Sequence, residues 1–172
     1  MTDALTTYKL IVLYMLEKVD FPLTNSQISE FILDKGYTNY FTLQQVFSEL
    51  SDAEFIRVKQ IRNSSHYTIT PAGQETLEFF GKNIPEAIRT DIDIFLKNHK
   101  YKLRSENEII ADYYQEKPDL FMVKCEVHEK HQVLLSLSLS VATKDQAIAI
   151  CDNWQKRNAD VYAWLINTLM MK

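Results

Sequence analysis

Leu5, Tyr8, Val12, Met15 and Val19 recur at helical spacing and predict a first helix over 3–18. Phe21-Pro22 ends it, because proline biases the residue before it away from helix. Thr24, with Gln27 three positions on, is a capping-box pair that opens a second helix on the stripe Ile28, Phe31, Ile32, and Gly36 is its left-handed stop. Leu43, Val46, Phe47 and Leu50 repeat at i, i+3, i+4, i+7 and predict a third helix. Thr42 and Gln45 offer it a capping box, and its start falls between 39 and 43. The period then switches. From Phe55 to Ile61 the chain alternates, with Ile56, Val58 and Gln60 on one side of a strand and Arg57, Lys59 and Ile61 on the other. Arg62-Asn63-Ser64-Ser65 is turn chemistry, and His66 to Ile69 is the returning strand. Thr70 caps a fourth helix with Pro71 at its first position.

Two helices joined by a short turn with glycine form a helix-turn-helix pair. Helix, helix-turn-helix, hairpin, helix is the order of a winged helix. Pro85 starts a further helix on the stripe Ile84, Ile88, Ile92, Phe95, Leu96. Residues 97–108 are polar and charged and read as a boundary. Beyond it, Ile109 to Tyr114, Leu120 to Val127 and Val133 to Val141 alternate as strands. In the last, Val133, Leu135, Leu137, Leu139 and Val141 face one way and three serines the other, a strand half buried and half solvated. Thr143 caps a final helix whose Ala147, Ile150, Cys151, Trp154, Val161 and Leu165 can cover the sheet. The predicted fold class is α+β. A winged helix-turn-helix domain over 1–83 is followed by a linker or dimerisation helix over 84–104. A C-terminal unit over 105–172 is a small three-stranded antiparallel sheet packed by a helix.

Composition narrows the chemistry. Three glycines in 172 residues, Gly36, Gly73 and Gly81, exclude the glycine-built dinucleotide and P-loop cradles by their spacing. Nineteen basic against twenty-three acidic side chains give a net charge of -4, so no broad positive field surrounds the molecule and any polyanion site is a local patch. Two cysteines make no disulfide framework and fit a reducing compartment. The longest apolar run, Leu10 to Leu16, is far short of the roughly 20 residues of a membrane span. It has neither a strongly basic leader nor a cleavage site. The expected location is the cytoplasm, with no membrane association.

Ser48-Glu49-Leu50 through Phe55-Ile56, then His66-Tyr67-Thr68-Ile69-Thr70-Pro71-Ala72-Gly73, resembles the winged-helix transcription factors, in which a Tyr-x-x-Thr-x-x-Gly stretch closes the wing. Over nearly its full length the chain looks closer still to a bacterial family known as the domain of unknown function 4364. The carrying segments are Phe21 to Gln27, Tyr37 to Gln45, Ile84-Pro85 and Cys151-Asp152-Asn153-Trp154. The resemblance implies a winged-helix front half, a family-specific rear half and a role in regulating transcription. It brings no catalytic residues.

The expected DNA site uses the side of the third helix opposite its apolar stripe. Asn39, Tyr40, Thr42, Gln44, Gln45 and Ser48 lie there, types that pair with base edges in the major groove. Arg57, Lys59 and Arg62 on the wing, with His66 across the turn, are placed to hold phosphates or enter the minor groove. Against this, no Lys or Arg occurs from Gly36 to Ile56, while Glu49, Asp52 and Glu54 do. That favours a rival reading, a winged helix docking a basic protein. Cys125, His128, Glu129 and His131 have metal-ligand types, but on a strand 125 and 128 point to opposite faces, so no metal is expected. Asp91 and Asp93 diverge on a helix, and Cys151 lies on an apolar face. The chain is therefore expected to be no enzyme and to need no cofactor. Tyr113, Tyr114, Phe121, Trp154, Tyr162 and Trp164 make the rear half aromatic. They fit a core or a dimer contact, or else a pocket for a small-molecule effector. The expected partners are double-stranded DNA and a second copy of the chain. The Pro85 helix and the terminal Leu165, Ile166, Leu169 and Met170 are the candidate dimer contacts.

Overall fold

Capping chemistry sets most helix starts in the computed structural model, which describes residues 3–172. Asp3 caps α1 (Ala4–Glu17) by accepting from the amide of Leu5. Thr24 ends the two-residue strand β1 (Leu23–Thr24) and begins α2 (Asn25–Asp34) with the full capping box to Gln27. The cap of α3 (Tyr40–Asp52) is Asn39, which accepts from Thr42, in place of the Thr42–Gln45 box expected there. The hairpin β2 (Ile56–Ile61) and β3 (Ser64–Ile69) leads into α4 (Pro71–Phe80), capped by Thr70. After a short 3-10 turn come α5 (Glu86–Glu108), β4 (Ile109–Lys117), β5 (Leu120–Glu129), β6 (Gln132–Val141) and α6 (Lys144–Met170). The architecture is α+β, with antiparallel sheets in the orders β1-β3-β2 and β4-β5-β6. The chain divides into two compact units, the first ending at Arg104 and the second beginning at Ser105.

In the first unit, Leu10, Ile11, Val12, Leu13, Met15 and Leu16 of α1 are buried among the stripes of α2 and α3. Each such side chain contributes about 1.5–3 kcal/mol by leaving water. The Tyr-x-x-Thr-x-x-Gly stretch has a reason at each position. The Tyr67 ring stacks on Phe47 at 4.6 Å between centroids. Thr70 donates its hydroxyl to the carbonyl of Glu54 at 2.7 Å while accepting from Gly73. A Cβ on Gly73 would lie 2.2 Å from the Phe55 carbonyl oxygen, closer than any side chain tolerates.

The structure differs from the sequence pattern in several places. The hairpin turn is only Arg62 and Asn63, with Arg62 in the left-handed region at φ 52°; Ser64 and Ser65 already belong to β3. β1, too short to show a pattern, pairs with β3 and makes it the middle strand. On the edge strand β2, Val58 is 43% exposed while Ile61 is buried, because an edge side chain has a neighbouring strand on one side only. The division between the units falls within 97–108, but the stretch is helix and not loop: α5 continues through it because Lys, Arg and Glu are good helix formers, and Leu103 lies buried in the first unit's core. Ile84, Ile92 and Leu96 are buried in that same core, so the Pro85 stripe offers no free dimer surface.

In the second unit, α6 lies chiefly across β4 and β5 and covers β6 least. Val123, Cys125, Ala147 and Cys151 form the core with Ala111, Phe121 and Trp154. The Trp154 indole donates to the carbonyl of Glu126 at 3.1 Å, and the Gln155 amide donates to that of Ile109 at 2.8 Å. The strands run further than their patterns indicate. β6 is less buried than expected: Val133 and Leu139 are 53% and 45% exposed.

Candidate nucleic-acid interface

A polar joint fixes α2 against α3. The Asn25 side-chain amide donates to the Gln44 oxygen at 2.8 Å and to the Tyr67 hydroxyl at 3.2 Å. The Asn25 oxygen accepts from Ser29 at 2.9 Å and from the Gln44 amide at 3.3 Å. Three elements, α2, α3 and β3, therefore meet on one asparagine, and exchanging an amide pair this way satisfies both groups in a half-buried place. The same contact takes Gln44 out of the set offered to a ligand, and its reach toward a base edge is spent inside the fold. Asn39 is likewise used as the cap of α3, although it stays exposed.

What remains outward on α3 is Tyr40, Gln45 and Ser48, exposed, with Thr42 half-buried. Phe41 joins them at 82% exposed, its ring edge-on to Tyr40 at 5.8 Å. The sequence reading passed over Phe41, yet the signal was present: two positions before Leu43, it lies about 200° round the helix from the buried stripe. The acidic character of α3 is also partly cancelled. The Lys9 ammonium of α1 sits 2.8 Å from the Glu49 carboxylate, and Gln45 donates to the same carboxylate at 3.3 Å. Hydrogen bonds from Lys9 and then Gln45 hold this carboxyl below its ordinary value. From Asn39 to Ser48 the helix carries no charge.

On the hairpin, Arg57 and Lys59 are exposed and Arg62 is half-buried. Both strand cations lie on the same side, since they are two apart on β2. His66 does not join them at the surface. It is 8% exposed, flanked in the sheet by Thr24 on one side and Lys59 on the other. The pairing of β1 with β3 is what buries it. Between the hairpin turn, α2 and the start of α3 opens a cleft of about 510 Å³ lined by Asn25, Ser29, Glu30, Tyr40, Asn63, Ser64 and Ser65 among others. It brings the first residue of α3 beside the hairpin tip.

Elsewhere the chemistry-bearing residues do not converge. Cys125 is fully buried, His128 is bound to Glu126 at 3.1 Å, and His131 occupies the β5–β6 turn at φ 68°. Among the described residues no three metal-ligating side chains come together. Asp91 and Asp93 accept separately from Tyr37 at 2.6 Å and Tyr14 at 2.8 Å, which ties α5 to the first unit. The rear aromatics also separate: Phe121 and Trp154 are core, while Tyr114 and Trp164 are exposed. No described helix is long and apolar enough to cross a membrane. A family model described as "Domain of unknown function (DUF4364)" matches residues 8–169. No curated protein and no solved structure matches the chain.

Proposed function

The chain belongs to the DUF4364 family, whose description assigns no activity, and on that footing we propose that it is a homodimeric, cytoplasmic transcriptional regulator that binds double-stranded DNA through an N-terminal winged helix-turn-helix. In this reading α3 enters the major groove and Tyr40, Thr42, Gln45 and Ser48 meet base edges. Arg57 and Lys59, with Arg62 nearer the turn, hold phosphates on the flank. Gln44 and His66 serve the fold rather than the ligand.

One observation carries the proposal. An uncharged polar stretch of α3 shares a unit with a hairpin bearing two exposed cations on one side, and Glu49, the acid that follows Ser48 on α3, is already paired with Lys9. Phosphate attraction supplies most non-specific affinity for DNA, so the hairpin, not α3, is where binding energy is expected. The test is fluorescence anisotropy with duplex DNA over a salt series. Binding that weakens with salt, and whose slope flattens by about one unit for each of Arg57 and Lys59 replaced by Ala, is the expected result. Undetectable binding at low salt overturns it.

Phe41 favours a second reading. A ring 82% exposed on the presenting side of a helix also suits an apolar protein contact. Under that reading Phe41→Ala abolishes capture of a protein partner, and the hairpin cations are irrelevant.

A further inference from the structure

We infer that the outer edge of β6 is the surface through which two copies of this chain associate: the two β6 strands pair antiparallel about Leu137 and join their sheets into one. This inference names the interface of the homodimer proposed above and rests on that part of the reading.

The two edges of the second sheet differ. β4, at one edge, carries Asp112, Glu116 and Lys117 and a register irregularity between Gln115 and Lys117. Charges and bulges are how an edge strand is kept from pairing with another chain. β6, at the other edge, is Gln132-Val-Leu-Leu-Ser-Leu-Ser-Leu-Ser-Val141, without a charge, a proline or a glycine; its own register irregularity lies near its start, between Val133 and Leu135, and from Leu135 to Val141 the strand is regular. Such a strand presents a row of unpaired backbone groups with nothing to repel a partner.

The apolar face of β6 is also uncovered. Leu139 lies directly across from Val123, which is fully buried, yet Leu139 is 45% exposed because α6 lies over β4 and β5. A further strand beside β6 would give Leu139 the neighbour it lacks.

Parity selects a second copy as that strand. Residues directly opposite in an antiparallel pair share a face. Read against itself about Leu137, the regular stretch of β6 sets Leu135 opposite Leu139, Ser136 opposite Ser138 and Leu137 opposite its own copy, so apolar meets apolar and serine meets serine there; beyond it Leu134 falls opposite Ser140. A shift by one residue would set leucine against serine and turn one copy over. The two-fold axis stands perpendicular to the joined sheet, and both α6 helices lie on its same face. Closed two-fold pairing also uses up the uncharged edge of this sheet, so assembly stops at two.

The experiment is sedimentation of the full chain over a concentration series without DNA, so that failure here is separate from failure to bind DNA. Ser136 and Ser138 are exposed on the face away from α6, where substitution leaves the core intact. Wild type is expected to be a dimer. S136K/S138K sets like charges opposite each other and raises the dimer Kd about tenfold or more, and S136E/S138E does the same. An equimolar mixture of the two restores association. Wild type that is monomeric, or that grows beyond a dimer, overturns the inference. So do same-sign variants that associate as tightly as wild type, and a mixture that fails to recover.

Discussion

The first unit draws its core from faces of α1, α2, α3 and α5, and its polar side chains join elements: Asn25 with Gln44, Tyr14 with Asp93, Tyr37 with Asp91. The second unit has one sheet and one helix, a core in which only Phe121 and Trp154 are large, and leaves Val133, Leu139, Trp164, Leu169 and Met170 outside. A short chain segment buries a smaller share of its surface, so apolar side chains are left over. The contrast lies in what each unit leaves on its surface. The first sets polar and cationic groups beside exposed rings such as Phe41 and Phe79, and the second leaves the apolar face of an edge strand and the end of a helix uncovered.

The comparison can be broken most sharply at Trp154. If the small core is the second unit's main support, Trp154→Ala costs about 3–5 kcal/mol there. Hydrogen exchange should then show protection lost across β4, β5 and β6 while α1 to α3 keep theirs. Equal loss in both units would mean that they do not fold as separately as their cores suggest.

A smaller effect is expected at the α2–α3 joint. Asn25→Ala leaves the Gln44 amide and the Tyr67 hydroxyl without their shared partner, at about 1–3 kcal/mol. Thermal melting should register that loss. DNA affinity should fall too if α3 must be held in place to read bases.

The weakest effect is an alkaline one, and it separates the units by pH. Burial, helped by the neighbouring Cys151, pushes the Cys125 thiol up from 9.0 to about 11. Burial and the bond to Asp93 push the Tyr14 hydroxyl from 10.0 to about 12. A raised pKa means that the folded state holds the proton more tightly than the unfolded chain. The stabilisation is complete below the unfolded value and is lost as pH climbs to the folded one. The second unit should therefore begin to weaken above pH 9 and the first above pH 10. Denaturant melts at intervals from pH 8 to pH 12 check this, and Cys125→Ala should remove the earlier loss.

Much of the fold was legible because its signals are local. Thr24 and Gln27 announce their capping box, and Leu43, Val46, Phe47 and Leu50 announce the buried side of α3. The candidate site was legible only in outline. Gln44 and Gln45 are adjacent glutamines on one helix, and nothing in their order tells which one bonds to Asn25 and which faces solvent. Val58 and Ile61 failed for a related reason: alternation gives parity, but burial depends on what lies beyond the strand.

The sequence alone determined the order of the helices and longer strands, most helix starts and the positions of charge, since caps, turns and periods act within a few residues. Tertiary structure decided the rest. β1 pairs with β3 and thereby buries His66, Lys9 reaches across to quiet Glu49, and α6 settles over β4 and β5, leaving β6 bare. Each of these joins residues far apart in the chain, and no local pattern encodes which distant partner a side chain meets.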